Sequence, residues 1–328
     1  MNYIKTIILI IFLSSCQGPT SNYKPKSSGN INTVTVVITN SLWKGLVGVK
    51  IRESFASEFF GLPQQEPVFS LKQITPDIFS GFTRESRNIL LIQKKERDTF
   101  FLEKNKFARP QVIANIFGKN SIKIIQNITN NKSKIISEIK KNELKEKQKR
   151  IRISPLNKTN LKTLLSIDLK MSSAYEIYKQ EEGKIIWFQR DTDKGTVNVL
   201  AYELNKDFMK VSSLKEIIKI RDSVGKLFLP GRNENSHMIT EKAYEPYIKK
   251  TRISGLEAIE TRGTWEVKND FMAGPFLNYI IKDTLNKRNI VLEGFVFSPS
   301  SKKRNLIFEL EAIFRSLKIY KKQNQKKD

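Results

Sequence analysis

Residues 256–268 have the sequence LEAIETRGTWEVK, which predicts a strand of an antiparallel sheet. Every second residue is apolar or small: Ile259, Thr261, Gly263, Trp265 and Val267. The residues between them are polar: Glu260, Arg262, Thr264, Glu266 and Lys268. This alternation predicts that one face packs on a core and that the other faces water. The pair Ser254-Gly255 is a hairpin signal, so residues 247–253 are expected to pair with this strand.

The elements around this strand predict an α+β sandwich domain over residues 159–320. Residues 184–190 and 196–203 form one predicted hairpin, and residues 277–283 and 289–297 form another. A helix that begins at Ser212 or Ser213 lies between the hairpins, and a last helix follows Ser300 or Ser301. The order strand-strand-helix, four antiparallel strands, helix resembles the Mog1/PsbP-like fold. A fold does not specify a function.

The first half predicts a second α/β sandwich-type domain over residues 32–153. A β-branched run at residues 33–39 predicts a strand, and the next helix repeats apolar residues from Trp43 to Phe59 at every fourth position. Residues 119–152 contain 11 Lys or Arg and three Glu, and their isoleucines predict a long amphipathic helix. A solvated helix face is favoured for these charges. The alternative is a binding surface for anionic lipid or polymer, with Lys140, Lys141 and Lys145 as contacts.

The N-terminus predicts a lipoprotein. Lys5 precedes seven apolar residues, and Leu13-Ser14-Ser15-Cys16 resembles a bacterial lipobox. Cys16 is then the site of lipidation, residues 1–15 are the signal peptide and residues 16–31 are a flexible tether. Gln17 rather than aspartate after the cysteine favours the outer membrane, facing the periplasm. Residues 321–328 are predicted to be a disordered tail.

Composition excludes several classes of site. The chain has one cysteine and one histidine, which excludes zinc sites with several such ligands and leaves no cysteine for a nucleophile besides Cys16. No metal and no cofactor is predicted. The formal net charge is +25, but an exported protein does not meet the chromosome, so nucleic acid is not a predicted partner. Anionic envelope material is a more plausible partner.

Two weak candidate sites lie in the second half. Glu293 is in a strand that is apolar on both faces, so it is either a general acid, with Glu266 as its partner, or a ligand contact; the alternatives are a structural ion pair with Lys or Arg and an edge-strand position. Trp265, Asp270 and Met272 belong to a turn-rich segment that either binds a sugar or peptide or forms a packed corner. Residues 61–67 form either a recognition loop or a plain helix-to-strand connection.

Several short stretches together resemble a known family. They are GNIN at 29–32, LWKG at 42–45, GLPQQEP at 61–67, MITE at 238–241, GTWEV at 263–267, MAGPF at 272–276 and LEGF at 292–295. They resemble an uncharacterised lipoprotein family of Bacteroidota, the domain of unknown function catalogued as four-eight-three-seven, over residues 29–319. The resemblance implies a cell-envelope lipoprotein and no particular activity.

The favoured function is a non-enzymatic, periplasm-facing binding or scaffold protein that is held to the membrane at Cys16. The alternative is a carboxylate-based hydrolase that acts on envelope polysaccharide through Glu266 and Glu293. In that case both carboxyl groups must line one cleft. The sequence leaves the ligand, the partner and the oligomeric state open.

Overall fold

The computed structural model describes residues 23–181, 185–204 and 213–322. The chain has an α+β fold, as predicted, with one large sheet in each half and a further two-stranded pair in the second half. Cys16, the predicted signal peptide and residues 323–328 of the predicted tail lie outside the described residues, as does Lys184 at the start of a predicted strand. Of the described helices, none is long and apolar enough to cross a membrane.

The first half contains a five-stranded sheet in the order β2-β1-β3-β5-β4. Its strands are β1 (Thr33–Val37), β2 (Ser70–Ile74), β3 (Asn88–Lys94), β4 (Thr99–Lys104) and β5 (Val112–Gly118). β4 is antiparallel to β5, and the other pairs are parallel. β5 has the sequence VIANIFG and is buried along its whole length, as is typical of a parallel strand covered on both faces.

Three helices belong to this half: α1 (Asn40–Lys44), α2 (Leu46–Phe55) and α3 (Ser121–Ile151). Gly45 separates α1 from α2, so the single helix predicted from Trp43 to Phe59 is two helices that end at Phe55. Short 3-10 turns lie at Pro76–Ile78 and Gly81–Glu85. In α3 the isoleucines at 124, 128, 135 and 139 are buried against the sheet, and Asn120 caps the helix by accepting from the Lys123 amide at 3.0 Å.

The second half contains an eight-stranded antiparallel sheet in the order β10-β12-β13-β14-β9-β8-β7, with β11 also paired to β12. The strands are β7 (Glu176–Glu181), β8 (Ile185–Thr192), β9 (Gly195–Leu204), β10 (Met238–Thr240), β11 (Tyr247–Ile253), β12 (Leu256–Val267), β13 (Ala273–Asp283) and β14 (Arg288–Phe297). A small pair joins β6 (Ile167–Asp168) to β15 (Lys318–Ile319). The helices are α4 (Leu161–Leu165), α5 (Leu214–Phe228) and α6 (Arg304–Phe314).

Both faces of β12 are covered, so the prediction that one face meets water is wrong. The odd-numbered residues, such as Trp265, lie on the α5 face of the sheet, and the even-numbered residues lie on the α6 face. Glu260 and Arg262 are 2% and 6% exposed because α6 covers them and supplies Glu311 as an ionic partner. Alternation predicted the strand correctly, but it did not distinguish a solvated polar face from a buried and paired one.

The two halves pack against each other. Phe59 and Ile151 of the first half belong to the apolar core under α6. Lys147 on α3 pairs with Glu309 on α6 at 2.6 Å, and Gln148 donates to the carbonyl of Ala312 at 3.0 Å. The far end of the long basic helix is therefore an interdomain contact.

Part of the predicted tether is structured. The Ser28 amide donates to the Glu85 carbonyl at 2.9 Å, and the Ser28 carbonyl accepts from the Arg87 amide at 3.0 Å. Lys26 and Arg109 form an isolated parallel β-bridge. Since residues 26–30 have hydrogen-bond or bridge partners in the folded domain, the predicted flexible tether over residues 16–31 is wrong at these residues.

Candidate functional site

The α5 face of the large sheet is only partly covered. Helix α5 packs closely against β10 at Gly225. A Cβ added to this glycine would sit 2.0 Å from the Met238 carbonyl oxygen. This contact holds the helix over one part of the sheet. Beyond it, the ends of β8, β9, β12 and β14 form a groove of about 690 Å³. We call this feature the aromatic groove.

Aromatic rings form a continuous surface in the aromatic groove. The rings of Tyr178 and Trp187 have centroids 4.4 Å apart, and Trp187 lies 5.8 Å from Phe295. Trp265 lies 5.6 Å from Phe295 and 6.4 Å from Phe297. Tyr178 is 61% exposed, whereas Trp265 is 1% exposed and Phe295 is 5% exposed. The surface therefore has a rigid floor on the sheet and a solvent-accessible aromatic wall at β7.

Gly274 makes room for Trp265. It lies opposite Trp265 in the register of β12 and β13, and a Cβ at this glycine would sit 2.0 Å from the Val296 carbonyl oxygen and 3.1 Å from the indole Nε1. The indole thus lies over β13 on the α5 face. Its Nε1 is buried and has no hydrogen-bond partner. Such a donor costs about 1–3 kcal/mol when left unpaired.

Several polar side chains of the groove are paired with each other. Asn198 accepts from the Trp187 indole at 2.9 Å and donates to Thr196 at 3.0 Å. Gln189 donates to the carboxylate of Asp191 at 3.0 Å. Asp191 and Arg232 are the charged residues among those that line the groove, so its formal charges balance.

Glu293 is held in a structural ion pair beside the groove. Its carboxylate accepts from Arg221 Nε at 3.0 Å, from Arg221 Nη2 at 2.7 Å and from Asn278 at 2.8 Å. The guanidinium lies 3.5 Å from the centroid of the Phe276 ring. Burial raises the pKa of neighbouring Tyr202 well above its usual value, and the negative charge of Glu293 raises this pKa further. Glu293 is therefore committed to Arg221 rather than free for acid catalysis.

The two candidate catalytic carboxylates do not share a cleft. Glu293 is on the α5 face, in the same register row as Asn278 and Thr261. Glu266 lies on the opposite face of the sheet because side chains alternate along β12. The predicted pairing of Glu266 with Glu293 for glycoside hydrolysis is wrong.

Of the three contact residues predicted in segment 263–276, two line the groove and one does not. Trp265 and Met272 line it. One carboxylate oxygen of Asp270 accepts from the Phe271 amide at 2.7 Å, and the other is buried without a partner. Asp270 is not among the lining residues. The structure thus brings together two of the three predicted contacts.

The three lysines predicted as anion contacts differ in environment. Lys141 and Lys145 are exposed on α3, whereas Lys140 is partly buried at the junction of the halves. Burial lowers the pKa of Lys140, and the nearby carboxylate of Glu311 opposes this shift. The three side chains therefore do not form one exposed basic surface.

A buried charged cluster lies at this junction. Arg262 donates to Glu260 and to Glu311 at 2.7 Å each, and Arg315 donates to Glu311 at 2.9 Å. Burial alone would raise the pKa of Glu311, but the positive charges of Arg262, Lys140 and Arg315 outweigh it and hold this pKa well below its usual value. These four side chains belong to β12 and to the end of α6, so the cluster pairs opposite charges within the second half, with Lys140 of α3 as a neighbouring charge.

Residues 61–67 also have a structural role. Glu66 is 8% exposed and accepts from the backbone amides of Lys303 and Arg304 at 2.6 and 3.3 Å. A carboxylate at this position satisfies the free amides at the start of α6 and interacts favourably with the helix dipole. Residues 61–67 lie between α2, which ends at Phe55, and β2, which begins at Ser70, so they form the predicted helix-to-strand connection and in addition contact α6 through Glu66.

Sequence reasoning missed Tyr178, Trp187, Phe295 and Phe297 as parts of the site. The sequence did contain a signal for these aromatic residues. Phe295 and Phe297 alternate in FVF at 295–297, and Trp187 lies in the predicted strand IIWF at 185–188. Only the register of β8, β9 and β14 shows that these residues approach one another. Within the described ranges, no three His, Cys, Asp or Glu side chains are grouped so that they could hold a metal ion.

Comparisons with known proteins match each half to a domain of unknown function. Residues 154–316 match a domain of unknown function, DUF4837, and residues 27–152 match a different one, DUF8532. Of the resemblance predicted over residues 29–319, the match to DUF4837 holds for residues 154–316, and its predicted extension over the first half is wrong because residues 27–152 match DUF8532. No curated protein matches the chain. A crystal structure of LpqN, described as involved in cell envelope biogenesis of Mycobacterium tuberculosis, is similar over 47% of this chain and 82% of that chain, with 12% identity and a TM-score of 0.29.

Proposed function

We propose that this chain is a cell-envelope lipoprotein that binds a partner through the aromatic groove and carries out no catalysis. The observation that carries the proposal is the continuous aromatic surface from Tyr178 to Trp265 on the part of the sheet that α5 leaves open. Concave sites lined by aromatic side chains with a few polar groups are typical of ligand binding.

The chemistry of the groove favours binding over catalysis. The carboxylates that hydrolysis would need lie on opposite faces of the sheet, and Glu293 is neutralised by Arg221. The rim offers paired amides and hydroxyl groups rather than an activated nucleophile.

The anchor is proposed at Cys16. The lipobox at residues 13–16 supports it, and lipid chains would hold the protein at the outer membrane facing the periplasm. Fatty-acid labelling of the wild type beside Cys16→Ala, with membrane fractionation, tests this part. We expect label and membrane association only in the wild type. Equal behaviour of the two proteins would refute the anchor.

Site-specific photo-crosslinking tests the groove in intact cells. Benzoylphenylalanine replaces Tyr178, which is 61% exposed at the groove, or Phe82, which is 80% exposed in the first half. We expect a discrete crosslinked species from position 178 and none from position 82, because only position 178 borders the groove. The product should be lost when Trp187→Ala is added. Products of equal yield at both positions, or none at position 178, would refute the groove as the binding site.

A further inference from the structure

We propose that one face of the first sheet lies against the bilayer that carries the lipid anchor, with apolar and cationic side chains in contact with anionic lipid headgroups. This face is opposite α1, α2 and α3 and is covered by residues 76–86 and 105–111, so we call it the loop face. The inference rests on the proposed anchor at Cys16 and is independent of the aromatic groove. Three features support it: the cover of the face, the side chains that it exposes and the point where the chain enters it.

The loop face is covered by two loops rather than by α-helices. Its odd-numbered strand residues Val37, Ile89 and Ile113 form a small core of their own. Phe79 and Phe107 from the two loops pack on this core. The even-numbered residues of the same strands pack against α1, α2 and α3 instead. A mostly parallel sheet is usually covered by helices on both faces, so the loop face lacks the usual second layer of helices.

Large apolar side chains are exposed on the loop face. Phe82 is 80% exposed and Ile78 is 51% exposed, and both belong to the 3-10 turns of the first covering loop. Phe101 on β4 is 41% exposed. Its register partner is Asn115, which lies on the same face as Ile113. Single exposed apolar side chains are common, but three on one face of a sheet indicate a contact surface.

The charge of the loop face is positive. The two covering loops and residues 23–28 contain five Lys or Arg and two Asp or Glu, which is a net charge of +3. Glu103 neutralises Lys106 at 2.8 Å, while Lys72 and Lys95 add two cations through strand register and a ring contact with Phe117. Basic residues at a membrane surface are attracted to anionic lipids. A second copy of the chain would bring the same positive charge against this face, which disfavours self-association.

Arg84 combines both properties of the loop face. Its guanidinium lies 5.7 Å from the centroid of the Phe79 ring and 5.3 Å from that of the Phe107 ring. The side chain is exposed, and its Nε donates to the Phe79 carbonyl at 3.1 Å. A cation held beside aromatic rings and next to exposed Phe82 is suited to the boundary between lipid headgroups and acyl chains.

The described chain begins at the loop face. The Lys24 ammonium donates to the Asn105 carbonyl at 2.5 Å. The Arg109 amide donates to the Pro25 carbonyl at 2.8 Å. Both partners belong to the second covering loop, so the segment that leads from the anchor is fixed to the cover of this face.

The distance from the anchor to this point is short. Tyr23 follows Cys16 by seven residues, which span at most about 25 Å when fully extended. A domain the size of the first half is about 35 Å across. With lipid on Cys16, the side of the domain where the chain begins therefore cannot point away from the bilayer.

Fluorescence quenching in nanodiscs tests this orientation. Cys16 is the one cysteine of the chain and its thiol would be acylated, so a thiol-reactive NBD dye labels only an introduced cysteine. The full-length lipoprotein is labelled at Ile78→Cys, or at Leu46→Cys on α2 as the control on the helix-covered side. The nanodiscs contain phosphatidylethanolamine and phosphatidylglycerol, with or without nitroxide-labelled phospholipid. We expect the nitroxide to reduce the emission at position 78 by about twofold or more, because interfacial apolar groups lie about 5–10 Å deep. The emission at position 46 should not change.

Substitutions on the same face test the contact itself. Phe82→Ser removes an apolar contact and Arg84→Glu reverses a charge, so each should reduce the quenching at position 78. Ile122→Ser removes an exposed apolar side chain at the start of α3 and should leave the quenching unchanged. Replacing phosphatidylglycerol by phosphatidylcholine should also reduce the quenching, because the positive face then has no anionic counterpart. Phe82 and Ile122 are exposed, so both variants are expected to fold.

Fatty-acid labelling of the same preparations separates this inference from the proposed anchor. Acylated protein with equal quenching at positions 78 and 46 would overturn the orientation and leave the anchor in place. Quenching at position 78 that is unchanged by both Phe82→Ser and Arg84→Glu would overturn the contact surface. Protein without acyl label would refute the anchor and the orientation together. A phospholipid attached at position 82 changes the mass of the protein too little to form a separate species in the crosslinking experiment, so the test of the aromatic groove is unaffected.

Discussion

Replacing Glu293 by glutamine separates a structural role from a catalytic one. The Arg221 and Glu293 side chains are 2% and 5% exposed, and two hydrogen bonds of 3.0 and 2.7 Å join them. Glu293→Gln removes the negative charge but leaves the guanidinium buried. Breaking such a pair by removing one partner costs about 3–5 kcal/mol because a buried charge is left uncompensated. We therefore expect the free energy of unfolding to fall by about that amount.

Urea unfolding followed by circular dichroism measures this loss. With a slope near 3 kcal/mol per molar urea, the second half should unfold at a urea concentration lower by about 1–2 M. Glu266→Gln is the matched control, since Glu266 lies on the same sheet but is partly exposed. A change within about 0.5 kcal/mol is expected there.

The double variant Arg221→Met with Glu293→Leu completes the test. It removes both charges and keeps apolar volume, so it should be more stable than Glu293→Gln alone. A Glu293→Gln protein with wild-type stability would refute the structural interpretation. So would a double variant as unstable as the sum of its two single variants.

Three other perturbations follow from the same contacts. The pKa of Glu311 is depressed in the folded protein, so the stabilisation from this carboxylate is complete above pH 4.3 and is lost as pH falls through the folded-state pKa, by roughly 1.4 kcal/mol per pH unit at most. Glu311→Gln should therefore reduce the loss of stability between pH 5 and pH 3 in unfolding experiments. A loss of stability equal to that of the wild type would contradict this prediction. Glu66→Gln weakens the cap of α6 and should cost about 1 kcal/mol in urea unfolding, whereas no loss would argue against the cap. Gly274→Ala adds a Cβ that would sit 2.0 Å from the Val296 carbonyl oxygen and 3.1 Å from the Trp265 indole, so β13 must shift and the emission of this tryptophan should move to longer wavelength; an unchanged spectrum would contradict these contacts.

The strands of the second half could be predicted because their signals are local. The Ser254-Gly255 turn connects β11 and β12 as expected, and the alternation at residues 256–268 marks a strand. The water-facing side was predicted wrongly because Glu260 and Arg262 are paired with residues far away in sequence, such as Glu311. Charge in a sequence indicates a need for partners, and solvent is only one of the possible partners.

The site was predicted only in part for a similar reason. Trp265 and Met272 stood out because they lie in one turn-rich segment. Trp187 and Phe295 join them through the pairing of β8, β9 and β14, which depends on strand register over more than 100 residues of sequence. Glu293 attracted attention as a charge in an apolar strand, and its partner Arg221 is on a helix whose position no local pattern specifies.

Hydroxyl-radical footprinting of the protein in its native membranes tests the central claim most directly. Tyr178, Trp187 and Met272 carry oxidisable side chains at the groove, and Tyr244, which is 68% exposed elsewhere, serves as the internal control. If the groove holds a partner, these three side chains should be oxidised less in native membranes than in the purified protein in nanodiscs, with Tyr244 unchanged. Equal oxidation of the three side chains in both preparations would contradict the account.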